Sequence, residues 1–582
     1  MLTPRIITLL HFNIILSMKF SDFTYQRPSV ETFQNSFIKE LQTFQNATTF
    51  EAQKEAILAI NTLRSDFDSM YSLATVRHSI DTTDSFYEEE NGFFDNSYPE
   101  LNEHTNNYFR ALLASSFRKE LEAEFGPQLF TISELRLKSF EPSIIEDLKE
   151  ENKLDSQYRK IKAQAVIEFD GKEYNLSSIN PLELSKDRDT RKRASEAKWA
   201  FYAEKADDIE SIYDNMIKLR HKMATELGYK NYVELGYARM LRSDYNAEMV
   251  ANFRKQVQEH IVPIATQLLE KQAKRLGLDS LHYYDEGFSF PSGNPTPKGD
   301  PKWMETQARK MYAELSDETD EFFQLMSDNE LMDLVAKDGK QTGGYCTFLN
   351  KFKSPFIFSN FNGTSHDITV LTHEAGHAFQ AYSTSNSGKL YDYLWPTYEA
   401  CEIHSMSMEF FTWPWMDLFF KEDTEKFKFS HLASSILFLP YGVAIDEFQH
   451  IIYENPNMTP AERNVVWTDL EKKYLPTRNY AGNKHLEEGR FWQRQSHVFG
   501  MPFYYIDYVL AQVCAFQFWQ RSIDDKENAW KDYIALCKEG GSKSFLDLVD
   551  LANLKSPFED GCLAEVVKPI QAYLDHVDDS KF

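Results

Sequence analysis

The residues best able to do chemistry in this 582-residue chain lie in the run His373-Glu374-Ala375-Gly376-His377. On a helix, positions i and i+4 share a face, so the rings of His373 and His377 can reach one metal ion while Glu374 lies beside it. Two neutral imidazoles suit zinc, which lowers the pKa of a bound water from about 15.7 to roughly 7. A neighbouring carboxylate can then take the proton of that water. The run therefore predicts a zinc hydrolase with Glu374 as the general base.

The residues before this run predict the helix that it requires. The mostly apolar stretch 368–371 precedes the run directly, and Thr364 with Asp367 has the Thr-x-x-Asp spacing of a helix start. We therefore expect a capped, half-buried helix that carries both histidines on one face. A structural helix without a metal is the alternative.

A third protein ligand is required, because a catalytic zinc site takes three ligands from the protein and keeps one position for water. The metzincin pattern places a glycine three residues and a histidine six residues after the second histidine of the motif. This chain has Gln380 and Ser383 at those two positions, which excludes that class.

A cluster of carboxylates follows in a second predicted helix, which begins near Pro396. Glu399, Glu402 and Glu409 are spaced so that they share one face of this helix. Because the segment is otherwise rich in Met, Phe and Ala, a metal site explains these carboxylates better than a solvated surface does. The spacing alone leaves open which of them is the ligand.

The combined pattern resembles a known family. The motif His373-Glu374-x-x-His377, followed by Glu402 at 25 residues after His377 and then by Ser405 and Glu409, is similar to the thimet oligopeptidase and oligoendopeptidase F family of zinc metallopeptidases. The resemblance implies that Glu402 is the third zinc ligand. Glu409 matches the family's second glutamate, and we expect it, together with Glu399, to lie behind the ligands and orient them.

Three further stretches support the resemblance, and with the metal motif they cover most of the chain. They are Gly343-Gly344-Tyr345 with residues 355–361, His497 with Tyr504-Tyr505-Ile506-Asp507-Tyr508, and residues 18–23. The resemblance implies a mainly α-helical, two-lobed fold with a deep central channel and a small mixed β-sheet beside the motif helix. It also implies one Zn²⁺ per chain and short peptides as substrates, because a narrow channel excludes folded proteins.

Hydrogen-bond donors for the reacting carbonyl are expected near the carboxyl end of the chain. A peptide carbonyl under attack develops negative charge on its oxygen, and a phenol or imidazole donor stabilises that transition state. The resemblance points to His497, Tyr505 and Tyr508 as catalytic donors, and it places Tyr504 among the substrate contacts. Since the chain has 30 tyrosines, packing in the core is the alternative for each of them.

Gly343, Gly344 and Tyr345 open a predicted strand that runs to Leu349. A strand edge with little side-chain bulk lets an extended peptide pair with it through main-chain hydrogen bonds. We therefore predict that these three residues bind the substrate, with an ordinary hairpin as the alternative.

The composition agrees with a soluble enzyme. The chain is 42% hydrophobic and 14% aromatic, which is enough to fill several cores, and its charged fraction of 26% argues against a membrane protein. The net charge of −26, from 63 basic and 89 acidic residues, argues against a nucleic-acid partner because phosphates would be repelled. Five scattered cysteines without a C-x-x-C pair favour a reducing, cytoplasmic location. The sequence makes no prediction of oligomeric state.

We divide the chain into three parts. Residues 1–17 are predicted to be an N-terminal extension with Met18 as an alternative start, because His11 and Asn13 interrupt the apolar stretch; export through a signal peptide is the alternative. Residues 18–180 are predicted to be a helical region that ends in a hairpin with an Asp170-Gly171 turn. Residues 181–582 are predicted to be the zinc peptidase region.

Long runs of helix formers dominate both of the larger parts. The clearest are Phe33 to Arg64, Arg191 to Leu227 and Tyr245 to Leu276, where apolar residues recur at helical spacing.

These observations predict an endopeptidase that hydrolyses internal bonds of short peptides. One alternative is a carboxydipeptidase or carboxypeptidase of related fold, which needs a cationic group or donor to hold the terminal carboxylate of its substrate; the sequence assigns that role to no residue. The other alternative is a peptide-binding protein without catalysis. The complete set of His373, Glu374, His377 and Glu402 argues against it.

Overall fold

A computed structural model of the chain describes residues 18–582, so the prediction for residues 1–17 lies outside the described part. The first half of the chain contains α1 to α14, separated by short loops and 3₁₀ turns. Their bounds are α1 Val30–Asn46, α2 Phe50–Ile80, α3 Ser85–Leu113, α4 Arg118–Phe125, α5 Gln128–Lys138, α6 Ile145–Ala163, α7 Asn180–Glu183, α8 Arg188–Glu204, α9 Ala206–Glu226, α10 Tyr232–Arg239, α11 Ala247–His260, α12 Val262–Arg275, α13 Pro301–Leu315 and α14 Asp317–Asp328.

The second half of the described chain continues with α15 to α25. Their bounds are α15 His366–Asn386, α16 Tyr398–Phe411, α17 Asp417–Phe420, α18 Thr424–Glu454, α19 Pro460–Tyr474, α20 Lys484–Glu487, α21 Ser496–Gly500, α22 Tyr505–Asp524, α23 Lys526–Glu539, α24 Phe545–Leu551 and α25 Cys562–His576. The predicted mainly helical class is confirmed.

Each of the three long helical runs is two consecutive helices, because local signals interrupt it. The Thr49 hydroxyl accepts a hydrogen bond from the Ala52 amide at 3.3 Å and so starts α2 at Phe50, after a gap of three residues from the end of α1. Pro263 lies in the first turn of α12. Since proline has no N–H to continue the hydrogen bonds of the preceding helix, α11 ends at His260.

The strands form two small sheets. The predicted hairpin pairs β1 Ile167–Phe169 with β2 Lys172–Tyr174 in antiparallel fashion. Asp170 and Gly171 both have positive φ, which is the requirement of a tight two-residue turn. This hairpin lies at the predicted boundary near residue 180, and the boundary itself stays a prediction.

The second sheet lies beside the motif helix. Its strands are β3 Met332–Val335, β4 Tyr345–Leu349 and β5 Ser354–Phe361 in the order β3-β5-β4, with β3 parallel and β4 antiparallel to the central β5. All but one of the β5 residues are buried, and α15 packs against β4 and β5. Strand β4 therefore has β5 on one side and a free edge on the other.

The start of α15 differs from the predicted cap. The helix begins at His366, and its N-cap residue, Ser365, makes no side-chain cap hydrogen bond. The Asp367 carboxylate instead accepts hydrogen bonds from the amides of Asn362 and Gly363 at 3.0 and 2.8 Å. Asp367 thus fixes the loop between β5 and α15, which sets where the motif helix begins.

Gly376, inside the motif, lets α15 and α16 approach closely. A Cβ atom there would lie 2.7 Å from both the His404 carbonyl oxygen and the Ser405 Cα. These are backbone atoms of the helix that carries the acidic cluster, so they cannot move aside without moving the helix. The glycine of the motif therefore sets the distance between the two helices.

We expect Gly376→Ala to destabilise the protein by about 1–3 kcal/mol, which is typical of overpacking, and to weaken metal retention because the two helices must separate. The measurement is chemical denaturation together with metal content after dialysis. Gly92→Ala is the matched control: Gly92 lies inside α3, a Cβ there meets no atom within 4 Å, and the change should stabilise by up to about 1 kcal/mol. Equal stability of Gly376→Ala and wild type would contradict the packing argument.

Candidate active site

The two histidines of the motif and one glutamate of α16 converge on a single point. His373 Nε2 and His377 Nε2 lie 3.2 and 3.4 Å from the same oxygen, Oε2 of Glu402. Ligands of a tetrahedral zinc ion, about 2.0–2.2 Å from the metal, lie roughly 3.3–3.5 Å from one another. The geometry and the donor types of these three residues therefore fit a zinc ion.

Glu402 is held in place by two hydroxyls. Its carboxylate accepts a hydrogen bond from Ser405 Oγ at 2.8 Å on Oε2 and one from the Tyr504 hydroxyl on Oε1. The side chain is 1% exposed. Burial alone would raise the pKa of Glu402, but His377 and His373 hold it well below its ordinary value, so the carboxylate is charged.

Glu409 sets the tautomer of His373. His373 Nδ1 donates to Glu409 Oε1 at 2.7 Å. Burial would raise the pKa of Glu409, but its hydrogen bonds to His373 and His431 lower it, so this carboxylate is ionised and only accepts. The ring proton of His373 is therefore on Nδ1, and the lone pair of Nε2 is directed to the metal position.

Another histidine, His431, binds the second carboxylate oxygen of Glu409. His431 Nε2 donates to Glu409 Oε2 at 2.7 Å, and Trp413 Nε1 donates to His431 Nδ1 at 3.0 Å. Since the indole can only donate, Nδ1 of His431 is an acceptor and its proton is on Nε2. The chain Trp413, His431, Glu409, His373 thus orients one ligand through three hydrogen bonds.

Glu399 differs from Glu402 and Glu409 in its contacts. It is buried, and neither carboxylate oxygen has a hydrogen-bond partner among the described residues. Burial, followed by the charge of Asp507, raises its pKa to about 8. Glu399 is not part of the group of possible metal ligands. Its charged neighbours are Asp507 on α22 and Arg242 in the segment after α10, and it lies one helical turn before Glu402.

Glu374 lies beside the metal position with one oxygen unpaired. Its Oε2 is buried and has no hydrogen-bond partner among the described residues. A Cβ on Gly344 would lie 3.4 Å from Glu374 Oε1, so the glycine brings the backbone before β4 close to this carboxylate. Burial raises the pKa of Glu374, and the two histidines oppose the increase. A buried, unpaired carboxylate oxygen of this kind is suited to accept a proton from a water molecule.

His497 is a neutral hydrogen-bond donor. Gln495 Nε2 donates to His497 Nδ1 at 2.8 Å, while Gln495 Oε1 accepts from the Tyr441 hydroxyl at 3.1 Å, which fixes the orientation of the amide. The ring proton of His497 is therefore on Nε2. Burial lowers the pKa of His497 to about 4, so the ring is neutral at pH 7 and remains so until the solution becomes strongly acidic.

Tyr508 and Tyr505 have neighbouring rings, with centroids 5.6 Å apart, but their hydroxyls have different surroundings. His497 Nε2 lies 3.3 Å from the Tyr508 hydroxyl, and this contact uses the oxygen of Tyr508 and leaves its proton for another acceptor. Burial, followed by the charge of Glu402, raises the pKa of Tyr508. Tyr505 instead lies against Phe438 and Tyr441. Tyr508 therefore faces the metal position. Tyr505 faces a cavity beside the site, which Phe438 and Tyr441 also line.

Tyr504, predicted as a substrate contact, is engaged by the protein itself. Its ring stacks on His497 with centroids 5.4 Å apart, and its hydroxyl donates to Glu402.

We expect Tyr504→Phe to weaken metal binding by about 10-fold or more, the range for residues that orient a ligand. Competition with a metal-buffering chelator measures the change. An unchanged metal affinity would show that Ser405 alone suffices to hold Glu402.

The turn before α22 is fixed by a strained residue. Phe503 has φ of 69°, a left-handed conformation that costs a non-glycine residue of order 1–3 kcal/mol. Its amide donates to Gln449 Oε1 at 2.9 Å, and its carbonyl accepts from Arg242 at 2.6 Å. Arg242 also donates to Asp507 at 2.7 Å, and both of these side chains are fully buried. These bonds fix where Tyr504 and Tyr508 point.

Comparison with known proteins agrees with this arrangement over nearly the whole described chain. Residues 20–140 match the description "Peptidase M3 N-terminal domain", and residues 182–290 and 301–567 match "Peptidase family M3". The chain belongs to peptidase family M3. The resemblance drawn from the motifs is thereby confirmed.

Solved structures and a curated relative of this M3 family member are similar along much of its length. The structure titled PZ peptidase A with an inhibitor is 57% identical, with 97% of this chain and 100% of that chain covered and a TM-score of 0.95. A candidate oligoendopeptidase F from Bacillus anthracis is 53% identical, with 97% and 99% covered and a TM-score of 0.91. An oligoendopeptidase F homolog of Borreliella burgdorferi is 24% identical over 388 residues, and the match spans 62% of that protein.

The substrate residues predicted before β4 lie close to the metal position, but their side chains contribute little. Gly343 and Gly344 precede the strand, which begins at Tyr345. The Tyr345 ring stacks on Phe358 of β5, with centroids 4.9 Å apart, and its hydroxyl is buried. This segment therefore offers its backbone at the free edge of β4.

Three residues of the site were absent from the sequence prediction: Trp413, His431 and Gln495. His431 and Gln495 lie far along the chain from the motif. Trp413 follows Glu409 by four residues, just past the end of α16, but nothing in the sequence indicated its contact with His431. Gln380, which replaces the glycine of the metzincin pattern, donates to the Leu394 carbonyl at 2.9 Å in the buried core and acts in packing. In the described part of the chain, every helix is too short or too polar to span a bilayer.

Proposed function

We propose that this M3 family member is a zinc-dependent endopeptidase that hydrolyses internal bonds of short peptides. The observation that carries the proposal is the convergence of His373 Nε2, His377 Nε2 and Glu402 Oε2 beside the unpaired oxygen of Glu374. The relatives named oligoendopeptidase F support short peptides as substrates. The five cysteines are all free, which suits the reducing cytoplasm that we propose as the location.

A zinc ion bound by these three residues would supply a Lewis acid and make water a nucleophile near neutral pH. Glu374 takes the proton of that water and passes it to the amine nitrogen that leaves. Glu409 and Tyr504 keep the ligands His373 and Glu402 in register throughout.

The substrate backbone is held on two sides in this proposal. The free edge of β4 pairs with an extended peptide through main-chain hydrogen bonds, and Gly343 and Gly344 leave room for it. Tyr508 donates to the carbonyl oxygen that becomes negative in the transition state, and the Nε2–H of His497 donates to the Tyr508 oxygen and so holds that hydroxyl in place. Both groups are fixed before the substrate arrives, so little reorganisation is needed.

We expect Tyr508→Phe to lower kcat by about 10²-fold or more with little change in KM, because only the transition-state donor is removed. Tyr505→Phe is the matched control. It removes the same hydroxyl three residues earlier, on a side chain that faces the cavity, and should leave kcat within a few-fold of wild type. Steady-state kinetics on one peptide measures both. The reverse ranking would exchange the roles of the two tyrosines.

A single set of peptides tests the proposed function against its alternatives. An endopeptidase cleaves a peptide blocked at both ends, a carboxydipeptidase requires the free carboxyl end, and a protein without catalysis cleaves neither. The cleavage should stop with a chelator and return with added Zn²⁺. Mass spectrometry of the products identifies the bond. Cleavage that persists after complete metal removal would contradict the proposal.

A further inference from the structure

A cavity of about 350 Å³ adjoins the candidate active site at Tyr505, whose ring centroid is 5.3 Å from that of His497. Its walls come from α12, α18 and the loop after α19. This volume is within the range of small-ligand sites, roughly 300–1,000 Å³. The cavity can therefore hold part of a peptide whose scissile bond lies at the metal position.

The charged side chains that line this cavity carry an excess positive charge. They are Glu286, Arg478 and Arg494. Arg478 pairs with Glu286 at 2.8 Å, and its Nη1 is buried with no hydrogen-bond partner among the described residues. Arg494 has no carboxylate within 4 Å in the described chain, although the protein as a whole has 26 more acidic than basic residues. An arginine that has the Tyr441 hydroxyl but no carboxylate as a partner among the described residues is available to an anionic ligand.

A partly buried lysine, Lys162, lies next to Arg494, which lines this cavity. Lys162 Nζ donates to the Arg494 carbonyl at 3.0 Å and to Ser496 Oγ at 2.6 Å. Among the described residues, no carboxylate pairs with it either. Burial is the main cause that lowers the pKa of Lys162 to about 7, and the charge of Arg494 lowers it further.

The Arg494 guanidinium is held in one orientation by aromatic rings. Its Cζ lies 4.1 Å from the centre of the Phe491 ring and 5.5 Å from that of Tyr441. Stacking occupies the faces of the guanidinium. Besides the hydrogen bond to the Tyr441 hydroxyl, its N–H edge keeps donors, and such an edge can match a carboxylate with two parallel bonds. Because the side chain is already ordered, binding costs little conformational entropy.

We propose that Arg494 binds a carboxylate of the peptide substrate in this cavity and so makes the protein selective for peptides that place a negative group there. The proposal rests on the proposed peptidase function. The carboxylate could be the terminal group of the peptide or the side chain of an acidic residue. Arg478 Nη1 supplies a further donor on the same wall.

Four peptides of otherwise identical sequence test the proposal: free acid or amide at the carboxyl end, each with Glu or Gln at one internal position. We expect wild type to prefer the carboxylate in one of the two pairs. In that pair, Arg494→Gln should lower kcat/KM for the carboxylate peptide by about 10- to 100-fold and leave the neutral partner within about twofold, as for loss of a charged hydrogen bond. The pair that responds identifies the source of the carboxylate.

Two further variants complete the experiment. Arg494→Lys keeps the charge but not the paired donors and should restore part of the selectivity, which a folding defect would not do. Lys172→Gln removes one positive charge from the exposed hairpin and should change nothing. If Arg494→Gln leaves both selectivity ratios unchanged, the proposal is wrong. If wild type cleaves none of the four peptides, the proposed function fails instead, and calorimetric binding of the same peptides to wild type and Arg494→Gln decides the role of Arg494.

Discussion

Glu374→Gln is expected to keep its metal and to lose turnover by about 10²- to 10⁴-fold, because the amide has the shape of the carboxylate but cannot take a proton from water. In the structure, this substitution changes the proposed base without removing a candidate metal ligand. Glu374 is outside the group of possible ligands, and its Oε2 has no hydrogen-bond partner among the described residues that the substitution would break. The measurement is single-turnover hydrolysis at saturating substrate, with metal content determined on the same sample.

Glu399→Gln is the matched control for this variant. It makes the same change on a carboxylate that is also buried, one helix away and outside the metal group. Its turnover should remain within a few-fold of wild type. Near-native turnover by metal-loaded Glu374→Gln would show that Glu374 is not the general base.

Glu402→Ala is expected to release the metal, because it removes one of the three proposed protein ligands. Glu409→Ala should weaken metal binding by about 10- to 100-fold, since it leaves all three ligands and loses only the hydrogen bonds to His373 and His431. Glu399→Ala should keep wild-type affinity. Competition with a chelator of known affinity measures all three variants, and circular dichroism checks that each is folded.

The ranking of these three variants tests the register of α16. Glu399 precedes Glu402 by three residues, so a one-turn error in the assignment would exchange their effects. Loss of metal from Glu399→Ala with retention by Glu402→Ala would be that result. In the structure, Glu402 lies 3.2 and 3.4 Å from the two histidines, whereas Glu399 faces Asp507.

The mainly helical fold and the shared face of the candidate metal ligands His373 and His377 could be predicted from the sequence, because both depend on spacing within single helices. The i, i+4 separation of His373 and His377 puts both rings on one face wherever the helix lies. The choice of Glu402 came from the resemblance to the family, since Glu399 and Glu409 share its helical face. The helices themselves were predicted, but their interruptions near Thr49 and Pro263 were not. Each interruption depends on one residue, a capping hydroxyl or a proline without an N–H, and the periodicity of apolar residues over a long run does not detect a single residue.

The roles of the other site residues were decided by the packing between helices. His431 of α18 donates to Glu409 of α16, and Tyr504 reaches Glu402 because Phe503 turns the chain with a positive φ just before α22. Tyr505 and Tyr508 have the same spacing and chemistry in the sequence, yet only Tyr508 contacts His497 by a hydrogen bond. Contacts of this kind depend on the relative placement of elements that are distant in the sequence. At Gly376, one added methyl group would change the distance between α15 and α16.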